Sequence, residues 1–157
     1  MTEDALRRRL LRPLAFQAYL FRRLPLAAMA GLRLERFDDE ACTVSLPGGF
    51  RTRNPFGSTY FAAQAMAAEM STGAPALVVA QAAPGSVALI VREVKGVFVK
   101  RIEGRAFFTF ADIGEMRKVA HAAGPEGAIF VARSQGVTAE GAVASEFEIT
   151  WSFRRRI

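Results

Sequence analysis

Cysteine, histidine and tryptophan occur once each, at Cys42, His121 and Trp151, and tyrosine occurs twice. A single cysteine excludes an intrachain disulfide, and a reducing, cytoplasmic location fits it. One histidine and one cysteine leave too few ligands for a zinc site, so no metal and no cofactor is expected. Lysine is scarce as well: Lys95, Lys100 and Lys118 stand against eighteen arginines, and the formal charge of +6 is carried by arginine. No glycine-rich phosphate loop is present. No run of about 20 uncharged apolar residues occurs, so no membrane-spanning helix is expected. Nor is a secretory signal expected, because Thr2, Glu3 and Asp4 open the chain and Arg22 and Arg23 break its first apolar run.

What remains is a chain of 157 residues, 51% hydrophobic, with thirteen phenylalanines. That is the length and composition of one folded domain, expected to span 1–157. Residues 5–30 read as helical, divided by Pro13 and Pro25, each of which lacks a donor. Leu10, Leu14, Ala18 and Phe21 recur at helical spacing. This segment reads as a helix that covers the core and keeps its arginines in solvent; a membrane-surface helix is the other reading, and membrane contact is not expected. "LRLERF" and "ACTVSL" read as two strands about a turn at Asp38 and Asp39. The second half is rich in strands. "SVALIVREVKGVFVKRIEG" is long for one strand, which suggests a bulge or bend at Gly96. "RAFFTFAD" is a strand, "GEMRKVAHAAG" a short helix with His121 at the surface, and the last two strands turn at Ala139 to Gly141. Phe147, Ile149 and Trp151 share one face of the final strand, and Arg154 to Arg156 read as a solvated tail.

Between these parts lies "NPFGSTYFAAQAMAAEMSTG", residues 54–73. It reads as a helix apolar on nearly every side, which must be covered on nearly every side. A curved antiparallel sheet wrapped round it makes an α+β plan. Ser58 reads as the N-cap after the flexible Gly57, and Pro75 is expected to kink or stop the helix. Glu69 is the one acid in the tract. Desolvation and the helix dipole would both raise its pKa, as suits a general base or nucleophile. Alternatively it lies on an exposed edge. Asn54 reads as a turn residue before Pro55. Basic residues from Arg92 to Arg133 suit an anionic partner such as a phosphate. Nucleic acid is not expected, because the aromatics of "RAFFTF" and "FEITWSF" read as core rather than as stacking surface. A Cys42–His121 dyad has nothing to recommend it.

Asn54, Gly57 three residues later and Glu69 fifteen residues later resemble the hot-dog-fold acyl-CoA thioesterases of the phenylacetate-pathway type. In those enzymes a His-Gly-Gly begins six residues after the Asn. Here Tyr60, Phe61 and Ala62 occupy that place, so the chain resembles a divergent branch. The resemblance implies a sheet wrapped round a long central helix, a homodimer or dimer of dimers, and ligand sites at the dimer interface. It implies Glu69 as base or nucleophile on a thioester carbonyl, the Phe61 backbone N–H as oxyanion donor, and Asn54 as holder of water or carboxylate. Gly57, Ser58, Tyr60 and Ala62 would line the substrate. The function so implied is hydrolysis of an acyl thioester. The missing His-Gly-Gly supports the alternative, a non-catalytic acyl-CoA or lipid-binding protein.

Overall fold

The computed structural model describes residues 2–156. Three short helices come first: α1 (Glu3–Leu10), α2 (Pro13–Arg23) and α3 (Pro25–Ala30). Pro13 and Pro25 each open a helix, where a missing N–H is an orphan in any case. The prolines thus divide the region as expected. Its apolar stripe does not turn inward. Phe16, Leu20 and Ala27 enter the core, while Leu14 and Phe21 are 87% and 74% exposed. Ion pairs hold α1 down. Arg7 reaches Asp4 and Asp39, and Arg117 takes the Glu3 carboxylate with two nitrogens.

Strands β1 (Arg33–Phe37) and β2 (Cys42–Leu46) form the expected hairpin. Asp38 builds its turn by accepting from the N–H groups of Glu40 and Ala41, each at 2.9 Å. The Arg36 guanidinium beside it holds the Asp38 carboxyl down, to about 2. The remaining elements are α4 (Phe61–Ala82), β3 (Val87–Phe98), β4 (Ala106–Phe110), α5 (Ile113–Ala122), β5 (Ala128–Thr138) and β6 (Val143–Arg155). The six strands form one antiparallel sheet in the order β1-β2-β4-β5-β6-β3. Helix α4 packs on β2 through β6 and on α5. This is the α+β plan of a sheet wrapped round a long helix. Strand β6 runs on to Arg155, so the basic tail is largely strand; Arg155 also donates to the carbonyl of His121.

Pro75 neither ends nor divides α4, which continues through it to Ala82. An interior proline costs about 3 kcal/mol in an isolated helix. Here burial on every side outweighs it: Ala67, Ala68, Ala76 and Val79 are wholly enclosed, and alanines let the sheet approach closely. Two buried hydrogen bonds fix the roll of the helix, Ser71 Oγ to Ser134 Oγ at 2.7 Å and Trp151 Nε1 to Thr72 Oγ1 at 2.9 Å. The irregularity in β3 falls between Val91 and Glu93, not at Gly96. Gly96 has a different use. A Cβ there would stand 2.8 Å from the Phe147 ring, which packs over the bare backbone.

Candidate active site

The start of α4 is set by the turn before it. Asn54 Oδ1 accepts from the N–H groups of Phe56 and Ser58, at 3.0 and 3.1 Å. Its Nδ2 donates to Ser58 Oγ at 3.0 Å. Gly57 supplies the positive φ, 80°, that closes this loop. The Asn54 side chain and the Ser58 hydroxyl are therefore both engaged within the turn. Ser58 is not the N-cap. The capping position is Tyr60, which makes no side-chain cap bond, and α4 begins at Phe61. Thr59 anchors the entry instead, its N–H and hydroxyl both donating to the Ile102 carbonyl.

An uncapped helix start leaves its first amides without acceptors. Among the described residues the N–H groups of Phe61 and Ala62 have no hydrogen-bond partner, whereas those of Ala63 and Gln64 turn back to Tyr60. Phe61 stands at a cleft of about 570 Å³ whose lining includes Asn54, Ser58, Phe98, Lys100 and Arg101. The Tyr60 and Phe61 rings pack edge to face, 4.9 Å apart, and both are exposed. Gln64 belongs to the same cleft. It is buried, its Nε2 donates to the Thr59 carbonyl at 3.3 Å, and its Oε1 has no partner. Its sequence signal was a lone amide in the first turn of an apolar helix, and no site role follows from that alone.

Glu69 lies eight residues further on, about 12 Å along the axis at 1.5 Å per residue. Its surroundings are apolar: Phe16 and Tyr19 of α2, Leu77 of α4, Leu89 of β3 and Trp151 of β6 line a cavity of about 160 Å³ at its carboxylate. Gly73 makes room for the acid, since a Cβ there would stand 2.7 Å from Glu69 Oε1. Among the described residues the carboxylate has no hydrogen-bond or ion-pair partner. Desolvation by burial raises its pKa above the ordinary value of 4.5. The exposed-edge reading of Glu69 is set aside.

Within one chain Asn54 and Glu69 line separate cavities. Gly57, Ser58, Tyr60 and Ala62 all fall at the helix-start end, with Phe61. His121 is half-buried rather than at the surface, its Nε2 4.0 Å from the Glu3 carboxylate. Cys42 is fully buried on β2, and that burial pushes its thiol pKa up, which is wrong for a nucleophile. Among the described residues no cluster of His, Cys, Asp and Glu could hold a metal ion, and no helix is long and apolar enough to cross a membrane.

No protein-family model matches the chain, and no curated protein matches it in sequence. Solved structures match it in shape. One is a Pseudomonas aeruginosa protein of unknown function described as a probable thioesterase. It has a TM-score of 0.74 and 22% identity over 92% of this chain and 97% of that one. A Haemophilus influenzae thioesterase has a TM-score of 0.63 and 13% identity over 82% of each chain. A Staphylococcus aureus thioesterase carrying a glutamine-to-alanine change has a TM-score of 0.64 and 14% identity, over 83% of this chain and 98% of that one. The likeness is one of fold: the chain has the hot-dog fold, an antiparallel sheet round a long central helix, in common with these thioesterases.

Proposed function

We propose that the protein hydrolyses an acyl-CoA-type thioester as a homodimer. The observation that carries this reading is Glu69, a poorly solvated carboxylate with no partner, beside an apolar cavity on the central helix. Desolvation raises its pKa and makes it a stronger base toward water than an ordinary carboxylate. The water oxygen bonds to the carbonyl carbon, and negative charge gathers on the carbonyl oxygen. The unpartnered amides of Phe61 and Ala62 are suited to receive that charge. The C–S bond then breaks, and the thiol leaves with the proton returned. Lys100 and Arg101 suit the phosphates of the leaving group. The Staphylococcus aureus neighbour adds support. Variants of it replace a glutamine and a glutamate fifteen positions apart, the separation of Asn54 and Glu69 in this chain.

The two halves of this machinery come from different protomers in our reading. Strand β3 ends the sheet, with its outer edge unpaired among the described residues. Val94 and Phe98 stand on the same face as the buried Ile149, yet are 47% and 48% exposed. An antiparallel two-fold pairing centred near Val94 sets Ile90 opposite Phe98 of the partner subunit. Leu89 lines the Glu69 cavity and Phe98 lines the helix-start cleft. Such pairing therefore brings one protomer's carboxylate toward its partner's amides.

The second reading is acyl-CoA binding without turnover. It is favoured by the commitment of Asn54 to its own turn. Thiol release from a panel of short, long and aromatic acyl-CoA thioesters, wild type beside Glu69→Ala, separates the two. We expect turnover that falls at least about a hundredfold in the variant while mass and the circular dichroism of the folded chain hold. Saturable binding with no wild-type turnover would transfer the function to the second reading.

A further inference from the structure

We infer that the outer face of α2 and α3 docks on an anionic lipid surface. Four large apolar side chains stand out from this face: Leu14 at 87% exposure, Phe21 at 74%, Leu26 at 68% and Met29 at 67%. Leu14 and Phe21 are seven residues apart, two turns along one side of α2. Phe21 and Met29 meet at a shallow depression between the two helices. Each element also carries an inner side that is firmly committed, with Phe16 2% exposed, Leu20 fully enclosed and Ala27 3% exposed. The outward residues are therefore not core residues displaced by a poor fit.

The charges around this face are of one sign. Arg8, Arg9, Arg12, Arg22 and Arg23 are all exposed, and none forms an ion pair with another described residue. No aspartate or glutamate occurs between Asp4 and Glu35. Exposed apolar side chains bordered by arginine are what a helix lying in a bilayer interface requires. The apolar groups enter the acyl boundary, and the arginine stems follow while their guanidinium groups stay among the phosphates. A second copy of the chain is a poor occupant. A two-fold contact whose axis passes through this face would oppose it to itself, bringing unpaired arginines against arginines.

Docking is independent of any hydrolase activity, because it concerns only the outer side of these helices. It bears on that activity through their inner side, where Phe16 and Tyr19 wall the Glu69 cavity. Flotation of the full chain with vesicles tests the inference. Vesicles of phosphatidylcholine alone are compared with vesicles of phosphatidylcholine and phosphatidylglycerol. We expect the chain to float with the mixed vesicles, and to do so less as salt rises. Phe21→Asp with Leu26→Asp should lower the bound fraction roughly tenfold, as should Arg22→Glu with Arg23→Glu. These side chains are exposed, so circular dichroism and melting temperature should match wild type. Wild type that stays in the soluble fraction with both vesicles overturns the inference. So do charge and apolar variants that float as well as wild type. A Phe21 and Leu26 variant whose mass by light scattering falls below that of wild type would assign the face to a protein contact instead.

Discussion

The two edges of the sheet differ in length and in the apolar side chains they leave exposed. Strand β1 is five residues long, carries Arg33, Glu35 and Arg36, and is flanked by α2. Two of its charges are engaged: Arg36 with Asp38, and Glu35 with both Arg105 and the Ser45 hydroxyl. Short length, charge and a covering helix are the devices that keep an edge from pairing with another chain. Strand β3 is twelve residues long, and its charges, Arg92, Glu93 and Lys95, alternate with large apolar side chains that stay exposed. Ile90, Val94, Val97 and Phe98 are exposed along it. One edge is protected and the other is prepared, and the prepared one lies beside both halves of the proposed site.

The sharpest way to break this contrast is to give β3 the character of β1. Val94→Lys sets a charge against its own copy at the centre of the proposed pairing. We expect the mass by light scattering to halve and turnover to disappear with it. A monomer that keeps full turnover would refute a site shared between protomers. A smaller effect separates the chemistry from the assembly. Glu69→Gln should leave the mass unchanged and lower turnover about a hundredfold or more. It should also alter stability with a defined sign. The folded chain holds the Glu69 proton more tightly than the unfolded chain. The stability this gives is complete below the ordinary 4.5 and is lost as pH rises through the raised folded value. The Gln variant should therefore melt above wild type at neutral pH, with the gap closing as the pH falls. For the wild type, turnover should rise with pH through that same raised value.

Gly96→Ala probes the inner seam of β3. The new methyl meets the enclosed Phe147 ring, and we expect a loss of about 1–3 kcal/mol by urea unfolding. At the protected edge, Arg36→Ala should change neither mass nor melting temperature measurably, since its pairs are exposed. A large effect there would mean that β1 also serves an interface.

Much of the fold was legible because local signals agreed. The Asp38 turn, the alternation of Phe147, Ile149 and Trp151, and the all-round apolar character of the tract within residues 54–73 each admit one arrangement. The failures came where a distant contact decided. Pro75 is a strong local stop, overruled by packing on every side of α4. Ser58 has the chemistry of a cap, but Asn54 and Gly57 draw it into their own turn. In α2 two apolar stripes compete, and the sequence cannot say whether Phe16 and Leu20 or Leu14 and Phe21 meet the core. The site divides along the same line. Glu69 announced itself as the lone acid in an apolar tract. Gln64 did not, because its significance lies in a buried oxygen left without a partner, and only the fold reveals that.

Cys42 carries a consequence of a practical kind. Fully enclosed on β2 and held in its thiol form, it will be silent toward a thiol-reactive dye while the chain is folded. The colour such a dye develops with an acyl-CoA substrate then belongs to released product alone. Without substrate, the same dye becomes a clock. Each slow reaction marks one opening of the hairpin beside the central helix, and its rate compared across the variants above ranks how often that region opens.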